Sequence, residues 1–391
     1  MSVFSSLVSR LRPLAMLATI GLLAACEPVA FTDRPSPGVD RDAPVQVALL
    51  VPGGSGDSGR QVLADNLENA ARLAISDLSG VQIDLRIYET AGSAERAADA
   101  ARRAVDEGAG IILGPVFSSE ARAAGAAVAD RGVNVLSFSN NTEIAGGNVF
   151  VLGMTFENTA RRMLAHAARE GRGQVMIVSE RTEEGRAAEA AINRAVAMTD
   201  AAIVATESYA FSQQGIVDAL PGMASTARSS GAQTIFFTAN TAGALPVLAQ
   251  LLPDNRIAPP RFQFMGLTRW DIPPATLQIR GLQDGWFALP DPAVSAQFQQ
   301  RFRSAHGDDP HPIAALAYDG IAAIGALVST GRSDAFSRES LTQGQGFVGV
   351  GGVFRLRPDG TNERALAVAT IRDEEVVILD PAPRAFVGPG S

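Results

Sequence analysis

The sequence predicts an α/β protein of two lobes, each a parallel sheet with helices on both faces. Three observations carry this reading. Short apolar runs alternate with Ala-rich amphipathic runs in two successive series, and strands alternating with helices of that length build covered parallel sheets, hence two Rossmann-like lobes. The chain of 391 residues is too long for one ordinary core. Between Ile111 and Thr142, a buried strand, a turn, a helix and a second strand place Ser118, Ser119, Ser137, Ser139, Asn140 and Thr142 at strand ends. Open α/β sheets bind ligands there, and a helix N-terminus favours an anionic group. The alternative is that these side chains only cap a helix and close a turn.

The elements follow in order. Arg10 and Arg12 precede an apolar run, Leu14 to Ala25, that has the length of a signal-peptide core and is too short to span a bilayer. It ends Leu23-Ala24-Ala25-Cys26, which resembles the bacterial lipobox. The resemblance implies a signal peptide over 1–25 and lipidation of Cys26; a cleaved soluble export signal with an incidental Cys is the alternative. More than one acyl chain gives stable membrane attachment. Glu27, by resemblance to enteric sorting rules, implies the outer membrane of a Gram-negative bacterium. Cys26 is the sole cysteine, so no intrachain disulfide forms even in an oxidising compartment.

Residues 26–43, with several Pro, Asp and Arg and no apolar period, read as a flexible tether. Strands are expected at Val45–Val51, Val81–Tyr88, Ile111–Leu113, Val133–Leu136 and Val149–Leu152. Helices lie between them, over Leu63–Leu78, over Ala94–Val105 with Ser93 as cap, and over Ala121–Ala129 behind Ser118 and Ser119 as N-cap. The second series gives strands at Gln174–Ser179, Ile203–Tyr209, Thr234–Thr238 and Phe262–Met265. Its helices fall at Arg161–Arg169, Arg186–Val196, Ile216–Arg228 (interrupted near Pro221) and Ala244–Leu252. Two further helices, Ala293–Ala305 and Ile313–Val328, precede Val353–Leu356, Ala365–Ile371 and Val376–Leu379. Those three runs read as an antiparallel meander turning at Pro358-Asp359-Gly360. Periodicity does not say which lobe they join.

A net charge of −8 argues against a nucleic-acid backbone as partner. Enzyme signatures are weak. Gly54 to Gly59 matches GxGxxG, but Pro52 and Gly53 lengthen the turn and Glu89 lies too far on for a dinucleotide site. No Lys follows, which excludes a P-loop. His166, His306 and His311 are scattered, and Pro310 and Pro312 bracket the last. Glu183-Glu184 reads as a solvated helix start. No catalytic residue, metal or cofactor is expected.

Several segments resemble the type I periplasmic binding proteins, nearest the leucine/isoleucine/valine-binding branch. They are VALLVPGGSG, LGPVFSSEA, VLSFSNNT, FMG at Phe264–Gly266, AYDGIAAIGAL at Ala317–Leu327 and VGGVFRLRPDGTNERALAV. The resemblance runs over Val45–Leu379. It implies a Venus flytrap with a three-crossing hinge: lobe 1 over 44–155 plus 288–345, lobe 2 over 156–287 plus 346–380, and a tail over 381–391. It implies a ligand cleft with Ser55, Ser118, Ser119, Ser137, Ser139, Asn140 and Thr142 from lobe 1. Glu180, Thr238, Asn240 and Thr268 come from lobe 2. In amino-acid binders of the family an aromatic residue precedes a Gly, where this chain has Glu184 before Gly185. An acid pairs the ligand's ammonium where this chain has Thr268. A buried ammonium without a carboxylate is costly. Those departures, with the lipobox, resemble the penicillin-binding-protein activator lipoproteins. They imply a non-catalytic, lipid-anchored protein that stimulates a peptidoglycan synthase. The alternative is the substrate-binding subunit of an ABC importer for amino acids or another small polar solute, with an ABC permease as partner.

Overall fold

The computed structural model describes residues 36–40 and 43–386. The expected signal peptide over 1–25 and the lipidation site Cys26 lie outside the described residues, as does the first part of the tether. The end of that tether is not a free linker. The Ser36 hydroxyl donates to Phe336 O (3.1 Å) and the Val39 N–H to Ser333 O (2.8 Å), so this stretch lies along the first lobe.

The first sheet is parallel throughout, in the order β2-β1-β3-β4-β5. Its strands are β1 (Val45–Val51), β2 (Ile83–Glu89), β3 (Ile111–Leu113), β4 (Asn134–Ser137) and β5 (Val149–Val151). Strands covered on both faces read as unbroken apolar runs, as VQVALLV does in β1. Helix α1 (Ser58–Asp77) turns Leu63, Leu67, Ala70, Ala71 and Ala74 inward, and Asp57 caps it by accepting from the Arg60 N–H at 2.9 Å. Helix α2 (Ala94–Asp106) is capped by Ser93, as expected. Helix α3 (Ser118–Val128) departs from expectation. Its N-cap is Phe117, which offers no side-chain bond, and Ser118 and Ser119 are its first two residues. The strand order reverses between β1 and β3, so the turns after them open onto one crevice.

The second sheet has the order β15-β14-β10-β9-β8-β6-β7. Parallel strands β6 (Gln174–Glu180), β7 (Ala202–Tyr209), β8 (Thr234–Phe237), β9 (Gln263–Gly266) and β10 (Trp286–Leu289) are extended by antiparallel β14 (Ala367–Arg372) and β15 (Glu375–Asp380). Helices α4 (Phe156–Arg169), α5 (Glu183–Val196), α6 (Gln213–Ser229) and α7 (Leu245–Asp254) cover it. Helix α6 runs through Pro221 without a break. Pro221 and Val217, whose carbonyl loses its bond, are both on the exposed face, where water replaces the partner.

Helices α8 (Pro292–His306), α9 (Ala314–Ser329) and α10 (Arg338–Leu341) return to the first lobe: Phe298, Phe302, Ile321 and Ile324 share a core with Leu49 and Leu67. The expected late meander is split. Strands β11 (Phe347–Gly349), β12 (Gly352–Leu356) and β13 (Asn362–Arg364) form a separate antiparallel sheet, with Phe347 and Phe354 in that first-lobe core. Only β14 and β15 join the second sheet, so assigning all of 346–380 to lobe 2 is corrected. The chain thus crosses between the lobes at 152–155, 290–291 and 365–366. The first and third crossings are tied together. Asn362 Nδ2 donates to Val151 O (2.8 Å) and Gly153 O (2.7 Å), and Asn158 exchanges two hydrogen bonds with the Arg364 backbone.

Candidate functional site

A cavity of about 490 Å³ lies between the lobes, in front of the crossings. The first lobe contributes the β3–α3 turn (Val116, Phe117, Ser118), the stretch after β4 (Phe138, Ser139, Asn140) and the start of α9 (Ile313, Leu316, Asp319). The crossings add Gly153, Met154, Pro290 and Leu366, and the second lobe adds Arg269 and Ile272. The volume lies within the range of small-molecule sites, roughly 300–1,000 Å³, and the wall is mainly apolar, as such sites are.

The β3–α3 turn holds its shape through Gly114 and Ser137. Gly114 has φ +86°, and a Cβ there would lie 2.3 Å from Leu50 O, so only glycine fits. The buried Ser137 hydroxyl donates to Pro115 O (2.9 Å) and accepts from the Ser139 N–H (3.1 Å). That bonding sets Ser139 against Ser118, with their hydroxyls 3.0 Å apart. Ser139 Oγ also accepts from the Asn141 N–H (3.1 Å).

At the back, Asp319 is fully buried. Its Oδ2 accepts from Arg364 Nη1 (2.7 Å), and its Oδ1 from the Val350 (2.7 Å) and Gly351 (3.4 Å) N–H groups. A Cβ on Gly349 would meet Asp319 Oδ1 at 2.0 Å, so a glycine is required for this approach. Arg364 also donates from Nε to Leu152 O (2.7 Å) and lies 4.8 Å over the Phe354 ring, while its buried Nη2 has no protein partner. Arg269 pairs with Asp271 through both carboxylate oxygens.

Of the residues expected in the cleft, the structure brings Ser118, Ser139 and Asn140 to this cavity. Ser55 is exposed on the turn after β1, accepting from the Asp57 N–H, and Ser119 is exposed and does not line the cavity. Ser137 braces the wall from behind. Thr142 starts a short 3₁₀ turn and faces a small outer hollow beside Thr155, Arg161 and Arg357. Glu180, Thr238, Asn240 and Thr268 sit at the ends of β6, β8 and β9 but do not line the cavity. Thr238 Oγ1, Asn240 Oδ1 and Thr268 Oγ1 are buried without protein partners. Glu180 accepts from Thr182 (3.3 Å) and Tyr209 (3.5 Å), and burial pushes its carboxyl above the usual range. Glu120, behind the first-lobe wall, is likewise raised by burial; it accepts from the Thr90 hydroxyl at 2.9 Å.

Sequence reasoning missed Arg269, Asp319 and Arg364. Asp319 left a trace, being the one charge within the apolar run IAALAYDGIAAIGALV. The two arginines left none. Among the described residues no group of three or more His, Cys, Asp or Glu side chains could hold a metal ion, and no helix is long and apolar enough to cross a membrane.

The family described as periplasmic binding protein matches residues 44–375. The chain belongs to that family. No curated protein sequence matches it. Solved structures of periplasmic binding proteins share the fold at low identity. A Rhodospirillum rubrum protein described as a candidate branched-chain amino acid ABC transporter is 17% identical, with a TM-score of 0.73 over 86% of this chain and 100% of that one. A Desulfitobacterium hafniense ABC transporter substrate-binding protein in complex with Leu is 17% identical, with a TM-score of 0.63 over 86% and 100%. A Rhodopseudomonas palustris solute-binding protein in complex with 3,4-dihydroxybenzoic acid is 16% identical, with a TM-score of 0.58 over 87% and 98%.

Proposed function

We propose that this periplasmic binding protein is the substrate-binding subunit of an ABC importer, holding a small solute between its lobes and presenting it to a permease. It acts in the periplasm, tethered by acyl chains on Cys26, and performs no chemistry on its ligand. The observation that carries this is the interlobe cavity. It has the size of a solute site, hydrogen-bonding groups on one wall, and crossings on which the lobes can hinge. The structural neighbours support the reading, since their descriptions are of ABC transporter proteins and solute-binding proteins. The activator reading, placed first on sequence grounds, gives way to it: nothing in the fold or the neighbours favours a peptidoglycan synthase as partner over a permease.

Affinity capture from detergent-solubilised envelope tests the partner. Recovery of an ABC permease is the expected result. Recovery of a peptidoglycan synthase with no permease would reinstate the activator.

A further inference from the structure

The cavity's charges specify its ligand more narrowly than the family does. Its lining residues include Arg269 and Arg364 and a single acid, Asp319. Asp319 is fully buried with its charge paired: Oδ2 accepts from Arg364 and Oδ1 from two backbone N–H groups, three of a carboxylate's roughly four acceptor sites. Asp271, just outside the lining, is held by Arg269 through both oxygens. Glu180 and Glu120 do not line the cavity: Glu180 accepts from two hydroxyls, and Glu120, which accepts from the Thr90 hydroxyl through Oε1, is buried behind the first-lobe wall. An ammonium group entering this space finds no unpaired carboxylate on the wall, and an unpaired charge out of water is strongly disfavoured.

Anion donors, in contrast, are in place. Helix α3 begins at the wall without a side-chain cap, which leaves its first N–H groups to a ligand. Ser139 Oγ accepts from the Asn141 N–H. When its proton goes to Ser118 Oγ, the Ser118 hydroxyl is left to donate onward. Arg269 faces this wall from the other lobe, and its five N–H donors exceed what Asp271 uses. Around these groups stand Val116, Phe117, Phe138, Met154, Ile272 and Leu316.

We propose that the cleft takes a small carboxylic acid with an apolar body and no ammonium group, and that Arg269 is the specificity residue that clamps its carboxylate from the second lobe. This rests on the solute-receptor reading above.

The test is isothermal titration of the full chain with two matched sets. One set is 4-methylpentanoate, leucine and 4-methylpentanamide; the other is 3-phenylpropanoate, phenylalanine and 3-phenylpropanamide. Within each set the compounds differ only in the ammonium or the carboxylate. In at least one set the acid is expected to bind about tenfold or more tightly than both its amino acid and its amide. Arg269→Gln is expected to weaken that acid by about tenfold and so to abolish the preference for the acid over its amide. An amino acid that binds as well as its deaminated acid overturns the inference and leaves the receptor reading intact. Failure of both acids to bind also overturns it, and the receptor reading then stands or falls on permease capture. Unchanged acid affinity in Arg269→Gln removes Arg269 from the clamp.

Discussion

The hinge and the strand ends each bury two carboxylates, and they treat them in opposite ways. At the hinge, Asp319 meets Arg364, and Glu363 meets Arg161, Arg355 and Arg357. At the strand ends, Glu120 and Glu180 are equally buried but are held mainly by hydroxyls of Thr90, Thr182 and Tyr209. For Glu363, burial pushes the carboxyl up, but the hydrogen bonds and charges of the three arginines outweigh it and hold it below the usual range. For Glu120 and Glu180 no comparable set of cations answers, and burial wins. The difference teaches where negative charge is committed. The hinge spends its acids on arginines that tie the crossings together. The strand ends keep theirs behind the walls. Neither leaves an unpaired carboxylate on the cavity wall.

Substitutions can break this comparison, and the largest effect is expected at Asp319. Asp319→Ala leaves the Arg364 guanidinium buried and two backbone N–H groups without an acceptor. It should cost about 3–5 kcal/mol in urea denaturation. A loss under about 1 kcal/mol would show that the hinge pair is not structural.

Glu363→Gln should cost less, about 2–3 kcal/mol at neutral pH, because its arginines stay partly hydrated. Its pH dependence is the sharper reading. A depressed folded pKa means the ionised form is favoured in the native state. The stabilisation is then fully present above the ordinary value of 4.5 and is lost as pH falls through the folded pKa. Glu363→Gln should therefore flatten the acid limb of the stability profile.

The smallest effect, with opposite sign, belongs to the strand ends. A raised folded pKa means the native state holds its proton more tightly, so stability falls as pH rises from 4.5 through the folded value. Glu120→Gln and Glu180→Gln together should remove that decline and lie within about 1 kcal/mol of wild type near pH 5. A double variant whose stability still declines as in wild type when pH rises above 4.5 would contradict the assignment.

Much of the fold was legible because its signals are local. Strands covered on both faces, such as VQVALLV and TIFF, announce themselves as apolar runs, and Asp57, Ser93 and Thr182 cap the helices that follow them. Strand β10 was missed because four residues between Gly285 and Pro290 look like a loop until their partners β9 and β14 are known. The late strands were misjoined for a related reason. A period of two says that a segment is a strand, not which sheet receives it, and the break at Ala365–Leu366 carries no turn signature.

The site divides the same way. Ser118, Ser139 and Asn140 were readable because turn chemistry after a strand is local. Arg364 meets Asp319 across 45 residues of sequence, and Arg269 faces the first lobe only once the lobes are assembled. The lobe-2 candidates Glu180, Thr238, Asn240 and Thr268 were placed on the correct sheet edge but not at the wall, since strand position alone does not say which side chains reach the cavity.

The most direct test of the account is native mass spectrometry of the protein purified from its own periplasm without refolding. The protein should carry a small-molecule adduct that is released on denaturation and identified as a carboxylic acid lacking an amine. An amine-bearing adduct such as leucine would contradict the charge argument on which the cleft's specificity rests.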